Sequence, residues 1–210
     1  MDVRGFGAPS TAVRAVILTG GRSRRFGGVH KPGVAVSGSP VLTRVLASVR
    51  AFDPTAEVWV AGPLDGLDDA GRATVRSVVE SPRFGGPLAG IAAALAGMAP
   101  GESTILLLAG DVPYLDPADL DRLVAASSRA GRAVGGEDAS GRFQPLFAAW
   151  PEGLLRGRLH DIGHAAGKPV RLLWEGVASI RVPVSAASTD DLDTPDDYRR
   201  ITGSAPPPPF

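Results

Sequence analysis

Val13-Arg-Ala-Val-Ile-Leu-Thr19 runs directly into Gly20-Gly-Arg-Ser-Arg-Arg-Phe-Gly-Gly-Val-His-Lys31. The first segment is aliphatic and rich in β-branched residues, the composition of a buried strand. The second carries four glycines, three arginines and a lysine. Glycine accepts positive φ and lets a ligand approach the backbone closely, and successive backbone N–H groups in such a loop can cradle phosphate oxygens. Arg22, Arg24, Arg25 and Lys31 supply the opposite charge. The loop is therefore expected to hold a nucleoside triphosphate. Taken alone, the same residues also read as a flexible surface loop with solvated arginines.

Outward from this stretch the pattern alternates. Strand composition is predicted at 57–61, 74–79, 104–109, 142–150 and 177–184. Helical spacing is predicted at 40–50, 87–98, 117–130, 154–166 and 195–201, with Asp116 as a cap of the third. Strands alternating with helices imply an α/β fold with a doubly wound, mostly parallel sheet and helices on both faces, a three-layer α/β/α architecture. Such sheets bind ligands outside the carboxyl ends of their strands. The three unusual loops fall there: 20–31, 80–86 and 110–114. Residues 1–12 read as a flexible leader, 13–203 as a single domain, and 204–210, ending in four prolines and a phenylalanine, as a disordered tail.

Bulk properties narrow the function. The chain has 210 residues, 44% of them hydrophobic, and a formal net charge of zero. No global basic field invites nucleic acid or an anionic membrane, so any anion site must be local. The absence of cysteine removes disulfides and thiolate metal sites. No signal-peptide core or membrane-length apolar run is present, and a soluble cytoplasmic protein is expected.

Gly85-Gly-Pro-Leu-Ala-Gly-Ile91 opens a helix with proline at its first turn. It reads either as a tight strand-to-helix turn or as a place where a ligand meets the backbone. Asp111, in Leu106-Leu-Leu-Ala-Gly-Asp-Val-Pro-Tyr-Leu115, follows a buried strand. An aspartate there is a turn or cap residue, or a carboxylate ligand for Mg²⁺, which takes one or two carboxylates together with phosphate oxygens. Asp190-Asp-Leu-Asp-Thr-Pro-Asp-Asp-Tyr198 reads as a capped helix start, with Thr194 as N-cap and Asp196 and Asp197 favoured by the helix dipole. Neither G-x-x-x-x-G-K-[ST] nor G-x-G-x-x-G occurs, so a P-loop and a standard dinucleotide site are unsupported.

As a set, these motifs resemble a known family. Leu18-Thr-Gly-Gly-Arg-Ser-Arg-Arg-Phe-Gly-Gly-Val-His-Lys31 resembles the L-A-G-G-x-S-x-R-M-G-x-x-K signature of the MobA-like nucleotidyltransferases that act on the molybdenum cofactor, with Thr19 and Phe26 replacing Ala and Met. The segment 85–91 is similar to the G-P-L-A-G element of the guanylyltransferase branch, and Asp111 stands in a context similar to the family's metal-binding aspartate motif. The resemblance implies the Rossmann-like fold of nucleotide-diphospho-sugar transferases and transfer of GMP from GTP to the phosphate of molybdopterin. It implies nucleotide contacts from Leu18, Thr19, Gly20, Gly21, Arg22, Ser23, Lys31, Glu80, Gly86, Pro87, Leu88 and Asp111. It also implies catalytic roles for Arg25, Lys31 and Asp111, and Mg²⁺ held by Asp111 and Asp193. Where the family often shows a polar residue after the second strand, this chain reads Val60-Ala61-Gly62. Gln144 stands where a histidine is common, and the basic segment 156–171 is a candidate for the acceptor's phosphate. A molybdoenzyme or cofactor chaperone is the partner such a product implies. A cytidylyltransferase on the same cofactor, a nucleotidyltransferase on another phosphorylated acceptor, and a non-catalytic nucleotide-binding protein of the same fold are the alternatives.

Overall fold

The structure, a computed structural model, describes residues 12–20 and 31–204. Strand β1 (Ala12–Leu18) is central. It pairs in parallel with β4 (Glu57–Ala61) on one side and with β6 (Ser103–Ala109) on the other, and β5 (Arg76–Val78) extends the sheet in parallel beyond β4. Past β6 the direction changes. Strand β8 (Phe143–Pro151) is antiparallel to β6 and to β7 (Ala133–Glu137), and β9 (Ser179–Pro183) closes the sheet parallel to β7. The order is β5-β4-β1-β6-β8-β7-β9. A two-stranded hairpin, β2 (Ala35–Val36) and β3 (Ser39–Pro40), stands apart. Its turn places Ser37 at φ 51° and Gly38 at φ 82°, the double positive φ that tight hairpins favour.

The continuous apolar runs of β1 and β6 make sense because both faces of the sheet are covered. Val13, Ala15 and Ile17 point to one face with Leu106 and Leu108, where they meet α1 (Val41–Phe52) through Val45 and Val49 and α4 (Pro117–Ala130) through Leu120 and Leu123. Val16, Ile105 and Leu107 point to the other face, against Leu88, Ile91 and Leu95 of α3 (Pro87–Gly97) and Leu155 of α5 (Glu152–Ile162). The result is the expected three-layer α/β/α arrangement. Among the described residues no helix is long and apolar enough to cross a membrane.

Local chemistry sets the ends of the elements. Asp116 caps α4 by accepting from the Ala118 N–H at 2.9 Å, and Gly131 ends it in the left-handed conformation. Thr194 and Asp197 form a reciprocal capping box on α6 (Pro195–Thr202). Two expectations are corrected and one strand is added. The predicted strand 74–79 shrinks to β5 because Asp68 caps a short helix, α2 (Asp69–Ala73), just before it. The predicted helix 154–166 begins at Glu152 and stops at Gly163, which sits at φ 68°. Strand β7 was not expected, since Ala-Val-Gly-Gly-Glu has weak strand composition. Its glycines are required by packing: a Cβ at Gly135 would fall on the Phe143 ring, and one at Gly136 would lie 2.9 Å from Phe147 Cδ1.

Candidate active site

The parallel strands end on one side of the sheet and there build a pocket. Leu18 and Gly20 come from the end of β1, Ala61 from the end of β4, Glu80 from the exit of β5, and Gly86, Pro87 and Gly90 from the start of α3. Close backbone packing explains the small residues. A Cβ on Gly62 would lie 2.6 Å from the Gly20 nitrogen, and one on Gly90 would lie 3.0 Å from Leu18 Cδ2. Gly86, the N-cap of α3, has φ 89° and ψ 174°, a region essentially reserved for glycine.

Two expected nucleotide contacts are placed more narrowly than the motif implies. Thr19 donates its N–H to the Ala61 carbonyl at 3.1 Å and its hydroxyl to the Pro63 carbonyl at 2.7 Å, so the side chain fastens β1 to β4. Leu88 is wholly buried in the helix–sheet core, which leaves its backbone N–H, in the first turn of α3, as the group it can offer a ligand. Gly21, Arg22, Ser23 and Arg25 lie outside the described residues.

A second cluster lies at the end of β6. Gly110 continues the sheet by donating to the Leu18 carbonyl at 2.9 Å, and a Cβ there would collide with that same oxygen. Asp111 follows. Its carbonyl accepts the Leu192 N–H at 3.1 Å, which pins the segment before α6 against it. Leu192 is wholly buried. Alternation in this extended stretch sends its neighbours Asp191 and Asp193 to the opposite side, toward Asp111. Carboxylate oxygens of Asp111, Asp191 and Asp193 all lie within 4.8 Å of one another. Asp191 is the residue that motif matching missed. The signal was present as an Asp-Leu-Asp alternation around one apolar anchor.

Lys31 sits in this cluster, with Nζ 2.5 Å from Asp193 Oδ1 and 3.9 Å from Asp111 Oδ2. Among the described residues, Lys31 is the cation that pairs with this group of three carboxylates. Burial, with Asp191 and Asp193 nearby, pushes the Asp111 carboxyl up to about 6 despite the opposing Lys31 charge. Burial and Asp193 likewise raise Asp191. Hard carboxylate oxygens that converge yet stay partly exposed fit a divalent cation with room for phosphate or water oxygens. Protons compete with such a cation for Asp111. In the metal-free protein Asp111 holds its proton to a higher pH than in the unfolded chain, so its contribution to stability is lost as pH rises through about 6. A bound cation removes that penalty. The gain in melting temperature on adding Mg²⁺ is therefore expected to grow from pH 5 to pH 7. Melting curves at both pH values check this, and a gain that shrinks as pH rises would contradict it.

The acidic segment is held from behind. Asp119 of α4, wholly buried, accepts from the Ser185 N–H at 3.1 Å and from the Ser185 and Ser188 hydroxyls, each at 2.7 Å, and it pairs with Arg122. Ser188 in turn accepts the Asp116 N–H at 2.9 Å. Burial alone would raise the Asp119 carboxyl, but the serine bonds and Arg122 outweigh it and hold it below the usual range.

Asp191 also lines a second pocket, with Leu108, Val112 and Phe147 as apolar walls and Arg142, Gln144 and Ser188 as polar ones. Gln144 donates to Asp138 Oδ2 at 2.9 Å. The basic segment expected at the acceptor's phosphate is used differently at two of its arginines. Arg156 binds the Leu95 and Met98 carbonyls and Glu152, and Arg158 binds the Leu172 carbonyl. His160 and His164 are exposed.

A molybdenum cofactor guanylyltransferase of Mesorhizobium japonicum is 33% identical over 145 residues, covering 66% of this chain and 67% of its own. One from Nitrobacter hamburgensis is 33% identical over 193 residues, covering 86% and 85%. The crystal structure of molybdopterin-guanine dinucleotide biosynthesis protein A from Archaeoglobus fulgidus shares the fold, with a TM-score of 0.67 at 22% identity over 90% of this chain and 97% of that one. A family model described as the MobA-like NTP transferase domain matches residues 15–174, and the chain belongs to that family of nucleotidyltransferases.

Proposed function

We propose that this protein is a molybdenum cofactor guanylyltransferase, joining GMP from GTP to the terminal phosphate of molybdopterin and releasing pyrophosphate, with residues 13–203 as the transferase domain. The observation that carries the reading is the placement of the Asp111–Asp191–Asp193 cluster at the end of β6, with a glycine-lined pocket and a second, more polar pocket among the neighbouring loops. Relatives bearing that activity in their names support the choice of GTP and molybdopterin.

In the proposed reaction an oxygen of the acceptor phosphate attacks the α-phosphorus of GTP in line. A new P–O bond forms as the bond from the α-phosphorus to the bridging oxygen breaks, and that oxygen leaves with pyrophosphate. A phosphate monoester is largely ionised near neutral pH, so the site needs no general base. Catalysis then rests on positioning and charge. Leu18, Gly20 and the start of α3 receive the nucleoside, and backbone N–H groups there face the ligand. Asp111, Asp191 and Asp193 would hold Mg²⁺, which supplies charge neutralisation at the phosphates when bound. Lys31, paired with Asp193 and Asp111 in the structure, and Arg25 are assigned to the departing β- and γ-phosphates. The pocket bearing Arg142 and Gln144 is assigned to the acceptor.

Calorimetric titration with GTP, CTP, ATP and UTP, each with Mg²⁺, tests the nucleotide half of this reading. GTP is expected to bind at least tenfold more tightly than the others. Preference for CTP would move the protein to the cytidylyl activity, and equal binding of all four would remove the guanine assignment.

A further inference from the structure

Phe84 stands in the loop between β5 and α3, beside the nucleotide pocket. Its side chain is 60% exposed, and its backbone adopts φ 63°. For a bulky residue that is a strained conformation, one that persists where the surroundings hold it in place. Here the holder is identifiable. Glu80 is buried, and its Oε1 accepts the Phe84 N–H at 3.0 Å. Glu80 and Phe84 both line the pocket formed with Leu18, Gly20 and Gly90, and both line an adjoining one with Gly62, Pro63 and Arg83. A strained backbone thus presents an aromatic ring to solvent at the edge of a slot floored by small and aliphatic residues.

We propose that Phe84 stacks on the base of the bound nucleoside triphosphate, and that Glu80 acts as a positioning residue by fixing the Phe84 backbone. This rests on the nucleotide reading of the pocket given above. Stacking on an aromatic ring is tolerant of base identity. Phe84 therefore supplies affinity for the base, and the choice among bases falls to groups deeper in the slot.

Phe84→Gly separates this role from folding, since glycine adopts φ 63° without penalty. The expected result is a melting temperature no lower than wild type, GTP binding weakened about ten- to a hundredfold, and unchanged binding of inorganic tripolyphosphate. Phe84→Trp gives a spectroscopic check: its indole fluorescence should be quenched by GTP and not by tripolyphosphate, after subtraction of the wild-type signal. If wild type binds GTP and Phe84→Gly binds it equally well, the stacking role is overturned while the nucleotide reading stands. Equal losses for GTP and tripolyphosphate would also overturn it, by making Phe84 a shaper of the phosphate loop. If wild type binds no nucleoside triphosphate, the nucleotide reading fails and takes the stacking role with it.

Discussion

Asp111→Asn is expected to reduce Mg²⁺-dependent guanylyl transfer on the order of a thousandfold or more while leaving the fold intact. The two halves of that expectation have separate physical origins. Turnover falls because asparagine keeps the shape of the side chain but presents a neutral amide where a carboxylate closes the cluster with Asp191 and Asp193. Folding survives because the charge removed is one the protein carries at a penalty: burial and two neighbouring carboxylates already push Asp111 up to about 6. At pH 7 and without metal, the variant should melt at or above the wild-type temperature, and the increase on adding Mg²⁺ should largely vanish. Steady-state transfer assays and melting curves with and without Mg²⁺ check both halves. Turnover within tenfold of wild type would remove Asp111 from the metal site.

Asp119→Ala is expected to have the largest effect on stability, about 3–5 kcal/mol. The substitution takes away the acceptor for the Ser185 N–H, the Ser185 and Ser188 hydroxyls and Arg122 at once. In a domain of this size that corresponds to a drop of about 10 °C in melting temperature. The loss should reach the site, because residues 185–193 lead from this anchor to Asp191 and Asp193. Mg²⁺ affinity should fall although Asp119 faces no metal. The pH dependence has a defined sign. A carboxyl held below its ordinary range stabilises fully above its unfolded pKa, and that stability is lost as pH falls through the folded value. The gap between wild type and Asp119→Ala should therefore be widest near neutral pH and close in acid. Urea melts at pH 7 and pH 3 measure it, and a gap that is equal at both would contradict the assignment.

The legible parts of the chain were those where one local pattern decides the outcome. The apolar runs of β1 and β6 declare strands covered on both faces. Asp116-Pro117 and Thr194-Pro195 declare helix starts, and Gly20, Glu80 and Asp111 come to one side of the sheet because the parallel strands before them must end there. What the sequence hid depends on distant partners. The glycines of β7 look like a turn until Phe143 and Phe147 are laid across them. Thr19 sits inside a ligand-binding motif, yet its hydroxyl reaches Pro63. The Asp-Leu-Asp alternation hints at Asp191, but its meeting with Asp111 depends on Leu192 being anchored there, a contact 81 positions apart in sequence. The strain at Phe84 has no sequence signature at all, because the residue is neither glycine nor asparagine.

The central claim is transfer of a guanylyl group to a phosphorylated pterin, and the most direct measurement follows the α-phosphate. Purified protein, Mg²⁺ and molybdopterin are incubated with GTP or CTP labelled at the α-phosphorus, and the fate of the label is read by chromatography. The expected result is label from GTP in the pterin dinucleotide, matched by an equal release of pyrophosphate and dependent on Mg²⁺. Label transferred from CTP in preference to GTP, or no transfer from either in the presence of all components, would contradict it.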